Sequence, residues 1–520
     1  MTRSPDVLVV LADDLGFSDL AAFGGEIDTP ALDRLARRGT RMSSFYVTPR
    51  CSPSRAALLT GRHAHEVGVG VLTTDDRPHG YRGSLDPAAP TLAERLRSIG
   101  YTTALAGKWH LSSQTAEPDE TWPTRRGFDE FYGVLPGAVS YYDPPLVDGE
   151  ERLPSSATAG DYYLTDDLTR YARDFVGRTH RDGRPWFLYL AYTAPHWPLH
   201  AREADVAKYR ERYLAGWDRL RERRLAEQHR LGLETTTDLP RRDPRVPAWA
   251  ETPDPEWEAE RMAVYAAQVE AMDRGVGTLL DQLEAQGTLD DTLVVFCSDN
   301  GACAEALPTP SGRLSADVSP PTTRAGRAVR VGNSPDVVPG PEDSYASYGR
   351  SWAHLSNTPF RLYKRWVHEG GIASPLIASW PAGGVQAGSR TGGPGHVVDI
   401  APTVLRAVGG DADGMAGVSM LDQWRGEDAV ERPLFWEHLG NAAVRHGPWK
   451  LVREAGQPWE LYDIEADRGE TDDVAAAHAD VVTRLEHCWE VWARSTGVIE
   501  WDRLLTYYRM RGLERSVLPD

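Results

Sequence analysis

Cysteine is scarce in this chain: Cys51, Cys297, Cys303 and Cys488 are the only four in 520 residues. So few, so widely spaced, cannot form the disulfide framework of a small secreted scaffold. No Cys-x-x-Cys pair occurs, which leaves zinc and dithiol redox readings without support. Long apolar runs are also lacking. The longest, Val7–Ala12 and Leu293–Cys297, are strand-sized and far short of the roughly 20 residues that span a bilayer. The N-terminus lacks the apolar stretch and small-residue cleavage site of a secretory signal, so the expectation is a cytoplasmic protein. Positive charge is in deficit, with 57 Lys+Arg against 76 Asp+Glu and a net charge of −19. That balance argues against nucleic acid and against an anionic membrane surface as partners.

What is present reads as a globular enzyme: 41% hydrophobic and 26% charged residues, with no internal repeat and no low-complexity tract. The length suggests two to four units, or one large α/β core with an appendage. Strand patterns at Asp6–Ala12, Tyr101–Ala106 and Pro185–Tyr192 alternate with helix patterns at Ala31–Arg38 (Thr29 as its cap), Thr91–Ile99 and Leu164–Val176. That alternation predicts an α/β fold with a large mixed, mainly parallel sheet sandwiched by helices. Chemistry in such sheets gathers beyond the carboxyl ends of the strands. Residues 201–260, dense in Arg and Glu, read as a charged insertion lying over the core with a solvated face. A long helix over about Glu258–Gln286 and a strand over Thr292–Ser298 follow, then an irregular loop over 308–341. Strand Ser374–Trp380 and helix Val397–Val408 come next. Arg432–Val452 and Trp459–Ile464 read as a meander covered by a helix over Asp472–Trp492. The expected division is a catalytic α/β domain at 1–409 and a smaller C-terminal antiparallel-sheet plus helix subdomain at 410–520.

Several chemical groups sit at or near strand ends. Asp13-Asp14 follows the first strand and Asp299-Asn300-Gly301 follows another. Adjacent carboxylates repel unless a cation lies between them, and these hard oxygen donors suit calcium or magnesium; solvated turns are the bland alternative. Cys51-Ser52-Pro53-Ser54-Arg55 opens a helix, where exposed N–H groups and the dipole favour an anion. A cysteine there is either a thiolate nucleophile or a small buried residue. Lys108-Trp109-His110 and Pro195-His196-Trp197-Pro198 follow strands, and Lys364 precedes what reads as a strand into Gly370-Gly371. Clustered cations in an acidic chain would make a local site for an anionic substrate.

With these residues in view, the chain resembles the sulfatase family of the alkaline phosphatase superfamily, and most closely the bacterial arylsulfatases. Cys51-Ser52-Pro53-Ser54-Arg55 through Leu59-Thr60-Gly61-Arg62 fits the pattern Cys-x-Pro-x-Arg…Leu-Thr-Gly that marks the family, and the likeness covers nearly the whole chain. The resemblance implies an alkaline phosphatase-like fold and hydrolysis of sulfate esters, in particular aryl sulfates. It implies that a formylglycine-generating (sulfatase-maturing) enzyme oxidises Cys51 to Cα-formylglycine, whose hydrate is the nucleophile and is steadied by Arg55. One Ca2+ ion would be bound by Asp13, Asp14, Asp299, Asn300 and the matured residue 51. Lys108 would neutralise sulfate oxygens, Asp299 would take the proton of the attacking hydroxyl, and His196 with Lys364 would serve the leaving oxygen. His110 would deprotonate the second hydroxyl of the hydrate and so release sulfate. Trp109, Trp197 and Trp352 are candidates for stacking on the leaving group or for packing, and Cys303 reads as a packing residue. The same core motifs fit a phosphonate monoester or phosphodiester hydrolase of the superfamily, which is the main alternative. A phosphatase would carry Ser or Thr at position 51, and a non-catalytic anion receptor would be missing part of the set.

Overall fold

Along Asp6–Ala12, the side chains of Leu8, Val10 and Ala12 enter one hydrophobic core and those of Val7, Val9 and Leu11 another. A strand apolar on both faces belongs in the middle of a parallel sheet covered on both sides, and that is where this one lies. The computed structural model describes residues 4–233, 236, 238–307 and 318–513. Its ten-stranded main sheet runs, in spatial order, through Ser389–Thr391, Thr40–Met42, Leu376–Ser379, Thr292–Ser298, Asp6–Ala12, Trp186–Ala191, Thr102–Lys108, Glu130–Val134, Val147–Asp148 and Glu151–Arg152. The five strands from Thr292–Ser298 to Glu130–Val134 are parallel, and Leu376–Ser379 joins antiparallel. Helices Pro30–Arg38, Leu164–Asp182 and Pro255–Ala285 supply apolar residues to one core. Helices Cys51–Thr60, Leu92–Ser98 and Ile400–Val408 supply the other. No helix among the described residues is long and apolar enough to cross a membrane.

The register places the chemistry. Ala12 pairs with Ser298, and Leu11 and Gly107 both pair with Ala191, so the carboxyl ends of four strands finish at one level. Backbone bonds continue past the strands, with Asp13 N–H donated to Ala194 O and Asp299 N–H to Ala12 O. Asp13, Asp299, Lys108 and the turn carrying His196 are thereby brought together.

The C-terminal sheet is the expected meander, of strands Leu434–His438, Asn441–His446, Trp449–Arg453 and Glu460–Asp463. Trp436, Ala443 and Val452 pack into the main core, while Val444, Leu451 and Leu461 meet Leu485 of the covering helix Ala479–Thr496. That helix lies several residues later than the sequence suggests, and a further helix, Trp501–Met510, follows it. The small sheet also braces the approach to Cys51: Trp436 Nε1 donates to Val47 O at 2.9 Å, and buried Lys450 and Tyr46 both bond Glu369.

Two of these expectations change. Thr29 gives no side-chain cap to its helix; the carboxylate of Asp273 accepts the Ala31 and Leu32 N–H groups instead, at 3.0 and 2.8 Å. Lys364 precedes no strand, because Gly370-Gly371 lies in the short helix Glu369–Ile372. Of the loop 308–341, residues 308–317 lie outside the described residues, and the rest holds only the two-residue strand Arg330–Val331.

The insertion 201–260 is more than a solvated cover. Its helix Trp217–Arg230 drives Arg224, 1% exposed, onto Asp19 at 2.8 Å and Glu26 at 2.7 Å, and Asp19 lies in the loop that begins at Asp13. Removing one partner of a buried ion pair leaves the other charge uncompensated, at a cost of about 3–5 kcal/mol. Arg224→Met is therefore expected to lower the thermal midpoint by several degrees in a scanning melt. An unchanged midpoint contradicts the bracing role.

Candidate active site

Asp13 and Asp14 are buried side by side at the end of the first strand. Asp13 Oδ2 accepts from Lys108 Nζ at 2.5 Å. Asp14, in a left-handed conformation at φ 67°, accepts from Asn300 Nδ2 at 2.6 Å and from Lys364 Nζ at 2.9 Å, and lies 3.3 Å from His196 Nε2. Burial alone raises the Asp14 carboxyl pKa; the Lys364 ammonium and His196 outweigh it and hold it below the usual carboxylate range. Asp299 takes both Nε and Nη2 of Arg55, at 3.0 and 2.8 Å. Burial and the neighbouring Asp13 still push the Asp299 carboxyl up to about 6.

Cys51 is the first residue of its helix, 3% exposed, with Sγ 3.5 Å from His110 Nδ1. Burial pushes its thiol pKa up in spite of Lys108 and Lys364. Burial, together with Lys108 and Arg55, holds His110 well below its ordinary value, so its imidazole is neutral. His110 sits at φ 54° with its ring against Gly137, where a Cβ would come within 2.5 Å of the imidazole. Gly137→Ala is thus expected to displace the ring and cut kcat by about 100-fold, the usual cost of misplacing a reacting group by an ångström. The melting midpoint should move little, and wild-type kcat would contradict the contact.

His196 Nδ1 lies 2.6 Å from Trp197 O, an acceptor only, so Nδ1 carries the proton and the Nε2 lone pair faces Lys364 Nζ at 3.5 Å. Burial pulls the imidazole down to about 4, with Asp14 opposing and Lys364 assisting. Burial works against the charge of Lys364, but Asp14 and Glu305 raise it well above its ordinary value. Lys364 is carried on a turn tied to the Asp299-Asn300-Gly301 loop by Asn357, which accepts Ala302 N–H and donates to Leu362 O and Gly370 O. The loops approach so closely that a Cβ on Gly301 would lie 1.9 Å from Gly370 O.

The catalytic and metal-ligand candidates from the sequence lie together at this one place: Asp13, Asp14, Cys51, Arg55, Lys108, His110, His196, Asp299, Asn300 and Lys364. Arg55 donates Nε and Nη2 to Asp299 and Nη1 to Lys108 O, the last at 2.9 Å. Of the tryptophans, Trp109 is buried with Nε1 on Thr121 O, and Trp352 is buried among Tyr213, Trp217 and Trp249. Both pack in the hydrophobic cores. Trp197 stands beside His196, ring centroids 4.8 Å apart. Cys303 is buried and packs in the core. Sequence reasoning missed Arg50 and Glu305, joined at 2.6 Å at the rim; Arg50 adjoins the motif, but nothing local marks Glu305.

The site has the donors for a cation. Asp13, Asp14 and His196 offer ligand atoms within 4.8 Å of one another, and Asp13 Oδ1 and Asn300 Oδ1 are buried with no hydrogen-bond partner among the described residues. Unpaired buried oxygens beside two carboxylates fit a hard divalent ion.

Comparison with known proteins gives the same direction. The chain is 32% identical to an uncharacterized sulfatase of Schizosaccharomyces pombe over 96% of its own length and 95% of the relative's. It is 33% identical to an arylsulfatase of Klebsiella aerogenes over 78% of this chain and 87% of that one. The crystal structure of Ps i-CgsB in complex with k-i-k-neocarrahexaose superposes with a TM-score of 0.71 at 26% identity, covering 99% of both chains. The Sulfatase family profile matches residues 5–410, and the chain, with its alkaline phosphatase-like fold, belongs to the sulfatase family of sulfate-ester hydrolases.

Proposed function

We propose that the chain hydrolyses aryl sulfates to a phenol and inorganic sulfate, using a formylglycine made from Cys51 by a sulfatase-maturing enzyme and one bound Ca2+. The observation that carries this reading is the placement of Cys51: it is buried at the first position of its helix, with Sγ 3.5 Å from His110 Nδ1, and burial favours its protonated form. A thiol held protonated is a poor nucleophile, whereas an oxygen nucleophile at the same position has bases at hand. The formylglycine hydrate supplies two hydroxyl groups on one carbon, for which Sγ is the stand-in. Asp13, Asp14, Asp299 and Asn300, with residue 51, would hold Ca2+, which when bound supplies a positive charge that polarises the sulfate.

The remaining work falls to this chain's side chains. Lys108 neutralises a sulfate oxygen as charge develops. Asp299, kept in register by the Arg55 fork, accepts the proton of the attacking hydroxyl. Lys364 keeps its charge and donates to the leaving oxygen; His196, whose Nε2 accepts from Lys364, holds that proton source in place. His110 takes the proton of the second hydroxyl through Nδ1, the atom nearest Cys51.

The test compares p-nitrophenyl sulfate, p-nitrophenyl phosphate and a phenylphosphonate monoester on one calcium-replete preparation with residue 51 converted. The sulfate is expected to lead in kcat/KM by orders of magnitude. A lead for either phosphorus ester would overturn the reading in favour of a phosphonate monoester or phosphodiester hydrolase.

A further inference from the structure

Past Asp299-Asn300 the chain brings Glu305 to the rim of the site, where its carboxylate is forked between two partners. Oε1 accepts from Arg50 Nη1 at 2.6 Å, and Oε2 accepts from Trp197 Nε1 at 3.1 Å. Arg50 immediately precedes Cys51, and Trp197 immediately follows His196. Glu305 therefore bridges the position of the nucleophile to the wall beside His196. The bridge is accessible: the Glu305 side chain is 26% exposed and that of Arg50 16%. The two oxygens differ in their surroundings. Toward Cys51 the carboxylate is paired with a guanidinium; toward His196 its oxygen accepts the neutral indole N–H of Trp197, with the Lys364 ammonium the next positive charge. Its charge is felt by Lys364 and His196, the two groups on the leaving side.

A sulfate monoester brings one negative charge, which the lysines and the cation site answer. A leaving group bearing its own carboxylate or a second sulfate would bring another anion against Glu305. An uncharged, flat leaving group would meet instead the Trp197 ring, whose orientation Glu305 fixes. We propose that Glu305 is a specificity-determining residue that turns the leaving-group side of the site toward uncharged aromatic groups and against a second anion. The proposal rests on the reading above, in which the leaving oxygen faces Lys364 and His196.

The experiment uses two matched esters, 4-sulfooxybenzoate and 4-sulfooxybenzamide, and follows the ratio of their kcat/KM values, anionic over neutral. Comparing that ratio between wild type and Glu305→Gln cancels the intrinsic reactivity of each ester. The substitution is expected to raise the ratio about five- to tenfold, the size of one like-charge contact at partial exposure. A second readout needs no variant: in the converted wild type the ratio should rise with ionic strength, because salt screens repulsion of the charged ester. A ratio unchanged by the substitution, or one that falls with salt in wild type, overturns the proposal and leaves Glu305 a brace. If converted wild type turns over neither ester nor p-nitrophenyl sulfate, the aryl sulfatase reading fails and this proposal with it. Good turnover with an unaltered ratio defeats this proposal alone.

Discussion

Cys51→Ala is expected to lower kcat/KM for p-nitrophenyl sulfate by about 10⁵-fold or more, the usual consequence of deleting a covalent nucleophile. The fold should survive. Cys51 is small and buried, and among the described residues its Sγ has one hydrogen-bond contact, the long one to His110 at 3.5 Å, so its loss costs about 1 kcal/mol of burial. Thermal midpoint and activity together separate loss of chemistry from loss of structure. Cys51→Ser sharpens the test. Serine restores an oxygen nucleophile but has one hydroxyl, with no second proton for His110 to remove and no route to release sulfate. The expected result is a burst of at most one phenol per active site and no steady state. Sustained turnover by the serine variant would remove the need for an aldehyde, and with it the central feature of the mechanism.

Withdrawal of divalent ions is expected to have the next largest effect: about 10³-fold in kcat, restored by Ca2+. Asp13 and Asp14 lie buried side by side, and the buried Oδ1 atoms of Asp13 and Asn300 have no donor among the described residues. An ion that binds only the folded state stabilises it by about 4 kcal/mol at a concentration 1,000 times its Kd. The thermal midpoint should therefore climb with added Ca2+ and level off, with Mg2+ weaker in a parallel titration. Asp13→Asn should flatten the Ca2+ response while leaving Lys108 a neutral acceptor. A wild-type midpoint indifferent to both ions would contradict the assignment of these residues to a metal.

How much of this was legible in the sequence follows from distance along the chain. Asp13, Lys108 and Asp299 each end or directly follow an apolar run, so their place at strand ends could be read locally, and the parallel topology then requires those ends to meet. Cys51 and Arg55 were legible because one helical turn holds both. The interactions that tune the site were not, because each joins segments far apart. Glu305 meets Arg50 across 255 residues, Arg224 meets Asp19 across 205, and Asp273 caps Ala31 across 242. No periodicity marks such partners: an acid in a loop and an arginine on a charged helix look solvated until the fold buries them. The same limit explains the tryptophans, since Trp109, Trp197 and Trp352 are alike in sequence and only Trp197 is at the site. Lys364 is legible as a cation near the site, but the turn that carries it is held by Asn357 contacts that leave no pattern.

The measurement that tests the account most directly is the mass of the peptide carrying residue 51, taken together with sulfatase activity on the same preparations. Coexpression with or without a formylglycine-generating enzyme should give samples with different fractions of aldehyde in place of thiol. The account predicts that kcat for p-nitrophenyl sulfate rises in proportion to the aldehyde fraction and extrapolates to background where only the thiol is found. Full activity in a preparation whose Cys51 is entirely unconverted would contradict it.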